Sequence, residues 1–171
     1  MDASSPQSVP TPANDDFAWK VHEALDSWTA KVDTKASIAL AIEAAIAGFV
    51  ITLSTSHGRL GGLHGFHADL EHGGLLLLAA SVLASLATVM PQLGRRKAKR
   101  DWSSNIIYFG HLRRWDPADL AANLSSGNTT TDQLARQLVE MSKICWRKHA
   151  WLQWSLFALL VSSVLLLWAG L

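Results

Sequence analysis

The sequence predicts an all-α membrane protein, with three transmembrane helices and a helical cytoplasmic lobe formed by extensions of the first and third spans. Three observations carry this. The apolar residues, 49% of 171, gather into three runs, 36–54, 73–93 and 150–171, instead of spreading with the periodicity of a soluble core. Each run is about as long as a helix needs to cross a roughly 30 Å hydrocarbon layer, and Glu43 is the one charged residue inside them. The basic residues are segregated: three precede the first run, one (Arg59) follows it, eleven lie between the second and third, and none follows the third. Backbone groups in a bilayer must be satisfied within the segment, so the runs read as helices. Positive charge stays on the cytoplasmic side, which places the N-terminus and residues 94–149 there and the loop 55–72 and the C-terminus opposite. The first run follows a long polar stretch and lacks a small-x-small cleavage site, so it reads as a span and not as a signal peptide.

Residues 1–14, rich in proline and serine, read as a disordered tail. A cytoplasmic helix over 15–35 is capped by Asn14 or Asp15 and starts near Asp16. Phe17, Val21, Ala24 or Leu25, Trp28 and Val32 form its apolar stripe, which docks on residues 95–149 or lies on the membrane surface. No glycine or proline divides it from the first span, so both belong to one rod. At the membrane entrance stand Asp33, Lys35 and Ser37. Lys35 can carry its ammonium into the headgroups. Asp33, two residues away, is on a different face and is expected to meet a basic residue of another segment. Glu43, deeper in the span, is either a gating acid lining a polar path or a protonated or hydrogen-bonded interhelical contact to Ser81, Ser85 or Thr88. Small residues around it, Ala41, Ala44, Ala45, Ala47 and Gly48, permit close helix approach.

The loop 55–72 holds His57, His64, His67 and His72 among glycines, which reads as a hydrophilic turn and not as a metal site. The second span ends at Pro91 and Gly94. The basic cluster Arg95, Arg96, Lys97, Lys99 and Arg100 then holds the chain to anionic lipid; its place beside a span favours lipid over nucleic acid. Next comes Asn105-Ile-Ile-Tyr-Phe-Gly-His-Leu-Arg-Arg114. Tyr108, His111, Arg113 and Arg114 set hydrogen-bond donors and positive charge beside aromatic faces. This suits a nucleotide base and phosphate or a small packed core with a solvated basic face, and composition alone favours packing. Asp116-Pro117 caps a short helix to about Leu124. After a turn at 125–128, a threonine among 129–131 caps the last helix, whose face Leu134, Leu138, Met141 and Cys145 leads into the third span. Trp146, Trp151 and Trp154 sit at interfacial depth.

No sequence signature of an enzyme is present, so no catalytic residue, metal or cofactor is expected. A lone Cys145 excludes an internal disulfide. On these residues alone, a membrane anchor whose cytoplasmic lobe binds a partner protein is a complete alternative.

Three stretches match a known pattern: Asp33-Thr-Lys-Ala-Ser37, Asn105-Ile-Ile-Tyr-Phe-Gly-His111, and the helix carrying Gln137, Ser142, Ile144 and Lys148. Over residues 17–171 the chain resembles the transmembrane effector family of bacterial Pycsar anti-phage systems. The resemblance implies an inner-membrane effector activated by a cyclic pyrimidine mononucleotide, cCMP or cUMP, from a partner cyclase. It implies impaired membrane integrity and abortive infection as the outcome. Asn105, Tyr108, Phe109, Gly110 and His111 take the family's cytoplasmic motif; Asp33, Lys35 and Ser37 take its membrane-entrance motif. Arg113, Arg114 and Lys148 join the first group as candidates for ligand binding or signal coupling. Homo-oligomerisation is expected, because three spans enclose no wide pore.

Overall fold

A computed structural model describes residues 12–54, 60, 63–91, 106–125 and 131–170. They form five helices and no strand: α1 (Pro12–Leu53), α2 (Phe66–Val89), α3 (Phe109–Leu112), α4 (Pro117–Ser125) and α5 (Thr131–Ala169). Residues 1–11, His57, the basic cluster 95–100, Asn105 and the turn at 126–128 lie outside the described residues. α1, α2 and α5 are each long and apolar enough to cross a membrane. The protein is therefore a multi-pass membrane protein.

Contacts divide the chain into two units. One joins residues 1–27 to 92–144, and the other joins 28–91 to 145–171. The first holds the segments predicted to build the helical lobe. The second holds the three apolar runs.

In the second unit the packing inverts that of a soluble bundle. Only 22–33% of the most apolar window of each long helix is buried. Outward faces carry Phe49, Ile51, Leu76, Leu83, Leu160 and Leu167, all exposed. Inward faces follow a four-and-three spacing and are rich in small and polar residues. On α2 this face is Gly74, Leu78, Ser81, Ser85 and Thr88. On α5 it is Cys145, Lys148, Leu152, Ser155, Ser162, Leu166 and Ala169, and on α1 Val32, Ala36, Ala39, Glu43 and Val50. Lipid tails are as apolar as leucine, so helices gain from close approach and polar contact, not from hiding hydrocarbon.

Val32, Ala36 and Ala39 of α1 pack on Leu152 of α5. Farther along, Val50 of α1, Leu60 of the loop, and Leu166 and Ala169 of α5 form a second cluster. α1 and α5 are thus parallel in this unit, and the α1–α2 loop lies at the same end as the C-terminus of α5. Ser54 Oγ donates to Glu71 Oε1 at 2.9 Å and Leu60 N to Leu53 O at 3.0 Å, closing that end. α2 and α5 approach closely at Gly74. Ser162 Oγ donates to the Gly74 carbonyl at 2.8 Å, and a Cβ on Gly74 would stand 2.7 Å from Leu166 Cγ and 3.4 Å from its backbone nitrogen.

Three boundaries differ from those read from the sequence. α1 begins at Pro12 and not near Asp16, because proline is pre-set for the first turn, where its missing N–H costs nothing. α2 begins at Phe66, not Gly73, so residues 66–72 of the expected loop are helix. Gly65, with φ of 60°, supplies the turn that admits it. α2 then stops at Val89, ahead of Pro91. The apolar stripe of α1 also differs. Leu25 and Val32 are buried, but Phe17 and Trp28 are 69% and 53% exposed. The buried face continues into alanines, which need a close neighbour, so the bulky aromatics turn outward.

Gly74→Ala is expected to lower the stability of the folded protein in detergent by about 1–3 kcal/mol through overpacking. Gly48→Ala, where a Cβ meets nothing within 4 Å, should be neutral or slightly stabilising. Thermal unfolding midpoints of the two variants check this.

Candidate functional site

Three groups of candidate residues can be placed, each within one unit.

The first is the cytoplasmic motif. Ile106 is buried and opens a tight segment in which His111 N and Leu112 N both donate to the Tyr108 carbonyl, at 2.9 and 3.0 Å. The one-turn helix α3 results, an element the sequence reading did not include. It brings the Tyr108 ring edge-to-face with His111, with centroids 5.3 Å apart and planes at 89°. The Tyr108 ring also folds back over Gly110. A Cβ there would overlap Tyr108 Cε1 and stand 2.9 Å from Cζ. Glycine at 110 is thus what allows tyrosine and histidine to meet. His111 Nδ1 is buried and has no hydrogen-bond partner among the described residues. Arg113 and Arg114 follow on the exposed side of the turn. A half-buried imidazole, a phenol and two guanidiniums give donors and charge suited to a base edge and a phosphate. Asp116 Oδ1 accepts from Ala118 N at 2.9 Å and starts α4 as predicted. Asn105 lies outside the described residues, and only the helical backbone of Phe109 is described.

In the same unit, Thr131 Oγ1 donates to Asp15 Oδ1 at 2.8 Å and ties the starts of α5 and α1 together. On exposed α5, Arg136 hydrogen-bonds Asp132 one turn away, which raises the arginine pKa above its ordinary value.

The second group is the entrance motif. Asp33 meets a basic residue of another segment, as its position suggested, and that residue is Lys148. Lys148 Nζ lies 2.6 and 2.7 Å from the two carboxylate oxygens of Asp33. Lys148 is 5% exposed, and the Asp33 side chain 35%. Ser37 Oγ donates to the Asp33 carbonyl at 3.0 Å, while Lys35 is exposed, free to reach headgroups. Lys148 is therefore the ion-pair partner of Asp33.

The third group surrounds Glu43, which is fully buried. Ser81 Oγ is hydrogen-bonded to Glu43 Oε1. Ser85 Oγ and Ser155 Oγ lie 3.1 and 2.9 Å from the same oxygen. Ser85 and Ser155 are 2.7 Å apart, and Ser81 Oγ is 2.8 Å from the Ser155 carbonyl. Two of the three expected partners, Ser81 and Ser85, are found. Thr88 instead donates to the Ala84 carbonyl of its own helix at 2.9 Å. Ser155 was missed. Its signal was present: Lys148, Ser155, Ser162 and Ala169 recur every seven residues, which puts them on one helix face.

Breaking a buried ion pair from one side leaves the other charge stranded. With Asp33 about a third exposed, Lys148→Met is expected to cost about 2 kcal/mol. The swap Asp33→Lys with Lys148→Asp should recover part of it. A double-mutant cycle on unfolding free energy measures the coupling.

No curated protein and no solved structure matches this chain. The family described as the Pycsar effector protein domain matches residues 17–171, nearly the whole length. The match covers all three long helices, the Tyr108–His111 turn, the Asp33–Lys148 pair and the Glu43 cluster. This chain belongs to the Pycsar effector protein domain family, and its role is that of an anti-phage effector.

Proposed function

We propose that the protein is a non-enzymatic effector of the bacterial inner membrane that is activated by a cyclic pyrimidine mononucleotide, cCMP or cUMP, and then impairs membrane integrity. The family match over residues 17–171 carries this reading. The partner that supplies the signal is a nucleotide cyclase, and the response ends in abortive infection. The N-terminus and residues 94–149 are cytoplasmic and the C-terminus extracytoplasmic, on the strength of the eleven basic residues between the second and third apolar runs. The basic cluster 95–100 adds attraction to anionic lipid.

The Tyr108–Arg114 turn is the recognition element. His111 Nδ1, which has no hydrogen-bond partner among the described residues, is the candidate for a hydrogen bond to a base edge, and Arg113 or Arg114 pairs with the phosphate. α1 and α5 carry the response, because neither has a glycine or proline between its cytoplasmic part and its span. Activation involves several copies of the chain, since three helices enclose no wide pore.

Purified protein in proteoliposomes should release an entrapped dye on addition of cCMP or cUMP, and not on addition of a cyclic purine nucleotide. His111→Ala, and Arg113→Ala with Arg114→Ala, should weaken nucleotide binding by about 10–100-fold, as expected for losing charged or buried hydrogen bonds. Calorimetry and dye release together test this. Full release by variants that no longer bind nucleotide would refute the assigned sensor. Absence of release from correctly inserted wild-type protein would refute the effector mechanism.

A further inference from the structure

We propose that a groove on the outer face of α5, formed by Arg147, Ala150, Trp151 and Trp154, seats an anionic phospholipid. The lipid phosphate lies on the Arg147 guanidinium, and its glycerol and upper acyl chain lie against the two indoles.

Helix spacing builds the groove. The four residues follow at steps of three, one and three, which sets them on one side of α5. Together they line a cavity of about 380 Å³, inside the roughly 300–1,000 Å³ range of small-ligand sites. Ala150 is the one small residue among three large ones and leaves the floor open. Arg147, Trp151 and Trp154 are exposed. The Trp154 ring is braced edge-on by Phe157, with centroids 6.3 Å apart and planes at 85°, so one wall is in place before any lipid arrives.

The groove lies at the depth of a headgroup. The ion pair of Lys148 with Asp33 sets residue 148 of α5 level with residue 33 of α1. On α1, Lys35 is the last cation before the apolar run. On α5, residues 150–169 contain no ionisable side chain. Arg147 thus stands where the hydrocarbon begins, and Trp154 is about 10 Å farther along the helix. That interval is the boundary between headgroup and acyl chain, where indoles prefer to sit.

Charge selects the lipid. Lys148 is buried, and its short contacts go to Asp33. Arg147, on the next face, is the cation that α5 turns outward at this level. Its fork matches two phosphate oxygens. After Glu140, α5 carries no carboxylate, so a zwitterionic headgroup would bring an ammonium that finds repulsion from Arg147 and no counter-charge on this helix.

Tryptophan fluorescence of the full-length protein tests this, in phosphatidylcholine nanodiscs that hold a small fraction of brominated phosphatidylglycerol or, in its place, brominated phosphatidylcholine. Bromine quenches an indole on contact. The signal of Trp151 and Trp154 is the difference between wild type and the Trp151→Phe/Trp154→Phe double variant. Phosphatidylglycerol should quench it at about one-fifth of the mole fraction that phosphatidylcholine requires. Arg147→Gln should abolish the preference, and Ala150→Leu, which fills the floor and keeps the charge, should reduce it. Equal quenching of wild-type protein by the two lipids would overturn the proposal without any variant having to fold. A preference unchanged by Arg147→Gln or by Ala150→Leu would also overturn it. So would quenching by neither lipid, the sign of a second copy of the chain covering this face.

Discussion

The serine hydroxyls that converge on Glu43 come from two helices and meet a carboxyl from a third, and this contact sets the terms for the rest of the spanning unit. In water, three such helices would associate by burying Phe49, Leu83 and Leu160. In lipid those side chains gain nothing from a protein neighbour and stay outside. What remains to hold the helices together is close packing of small residues and polar contact between them. The inner faces supply both. Ala36 and Ala39 let α1 approach Leu152, and Gly74 lets α2 approach Leu166. Those approaches in turn bring Ser81, Ser85 and Ser155 within reach of Glu43.

The polar contacts specify a register more than they add stability. A buried polar network strengthens a structure only when its members are satisfied, and a half-made one is worse than none. Sliding α1 by one turn would carry Glu43 away from its three hydroxyls and strand it in hydrocarbon. Sliding α5 would carry Lys148 away from Asp33. The two conditions are met together by one alignment, because Asp33 and Glu43 share α1 while Lys148 and Ser155 share α5 one heptad apart. The apolar end formed by Val50, Leu60, Leu166 and Ala169 fits the same alignment. Shape alone would leave many nearly equal packings for helices of leucine and alanine.

Much of this was legible in the sequence, unevenly and for physical reasons. The spans were plain, because a hydrocarbon layer imposes a length and excludes charge. Asp33, at the membrane entrance and off the face of Lys35, called for a basic partner from another segment, but the sequence did not single out Lys148, because it gives no distance across 115 positions. Ser81 and Ser85 were readable as partners of Glu43 because they are polar on a face of an apolar helix. Thr88 looked the same and is not a partner, since a threonine in lipid can satisfy itself on its own helix backbone. Ser155 escaped because it sits beside interfacial tryptophans and reads as rim. Its heptad relation to Lys148 and Ser162 was the better signal. The Tyr108–His111 contact depends on a single helical turn, too short for any periodicity, and on Gly110, whose need shows only once the tyrosine ring is seen to lie over it.

A consequence follows for how a signal at the turn would act. Binding at Tyr108–Arg114 shifts an equilibrium only by as much as the ligand prefers one arrangement over another. A continuously deformable bundle would spread so small an energy over many slight adjustments. A bundle held by a polar cluster behaves differently, since its contacts are made in one register and lost in the next. α1 and α5 are uninterrupted helices through residues 27–28 and 144–145, and Thr131 ties the start of one to Asp15 at the start of the other. A rotation or slide imposed on either helix has no glycine or proline hinge in which to dissipate. Within the spanning unit, Asp33, Lys148, Glu43 and Ser155 are the side chains whose partners depend on register, so one alignment of α1 on α5 serves both contacts.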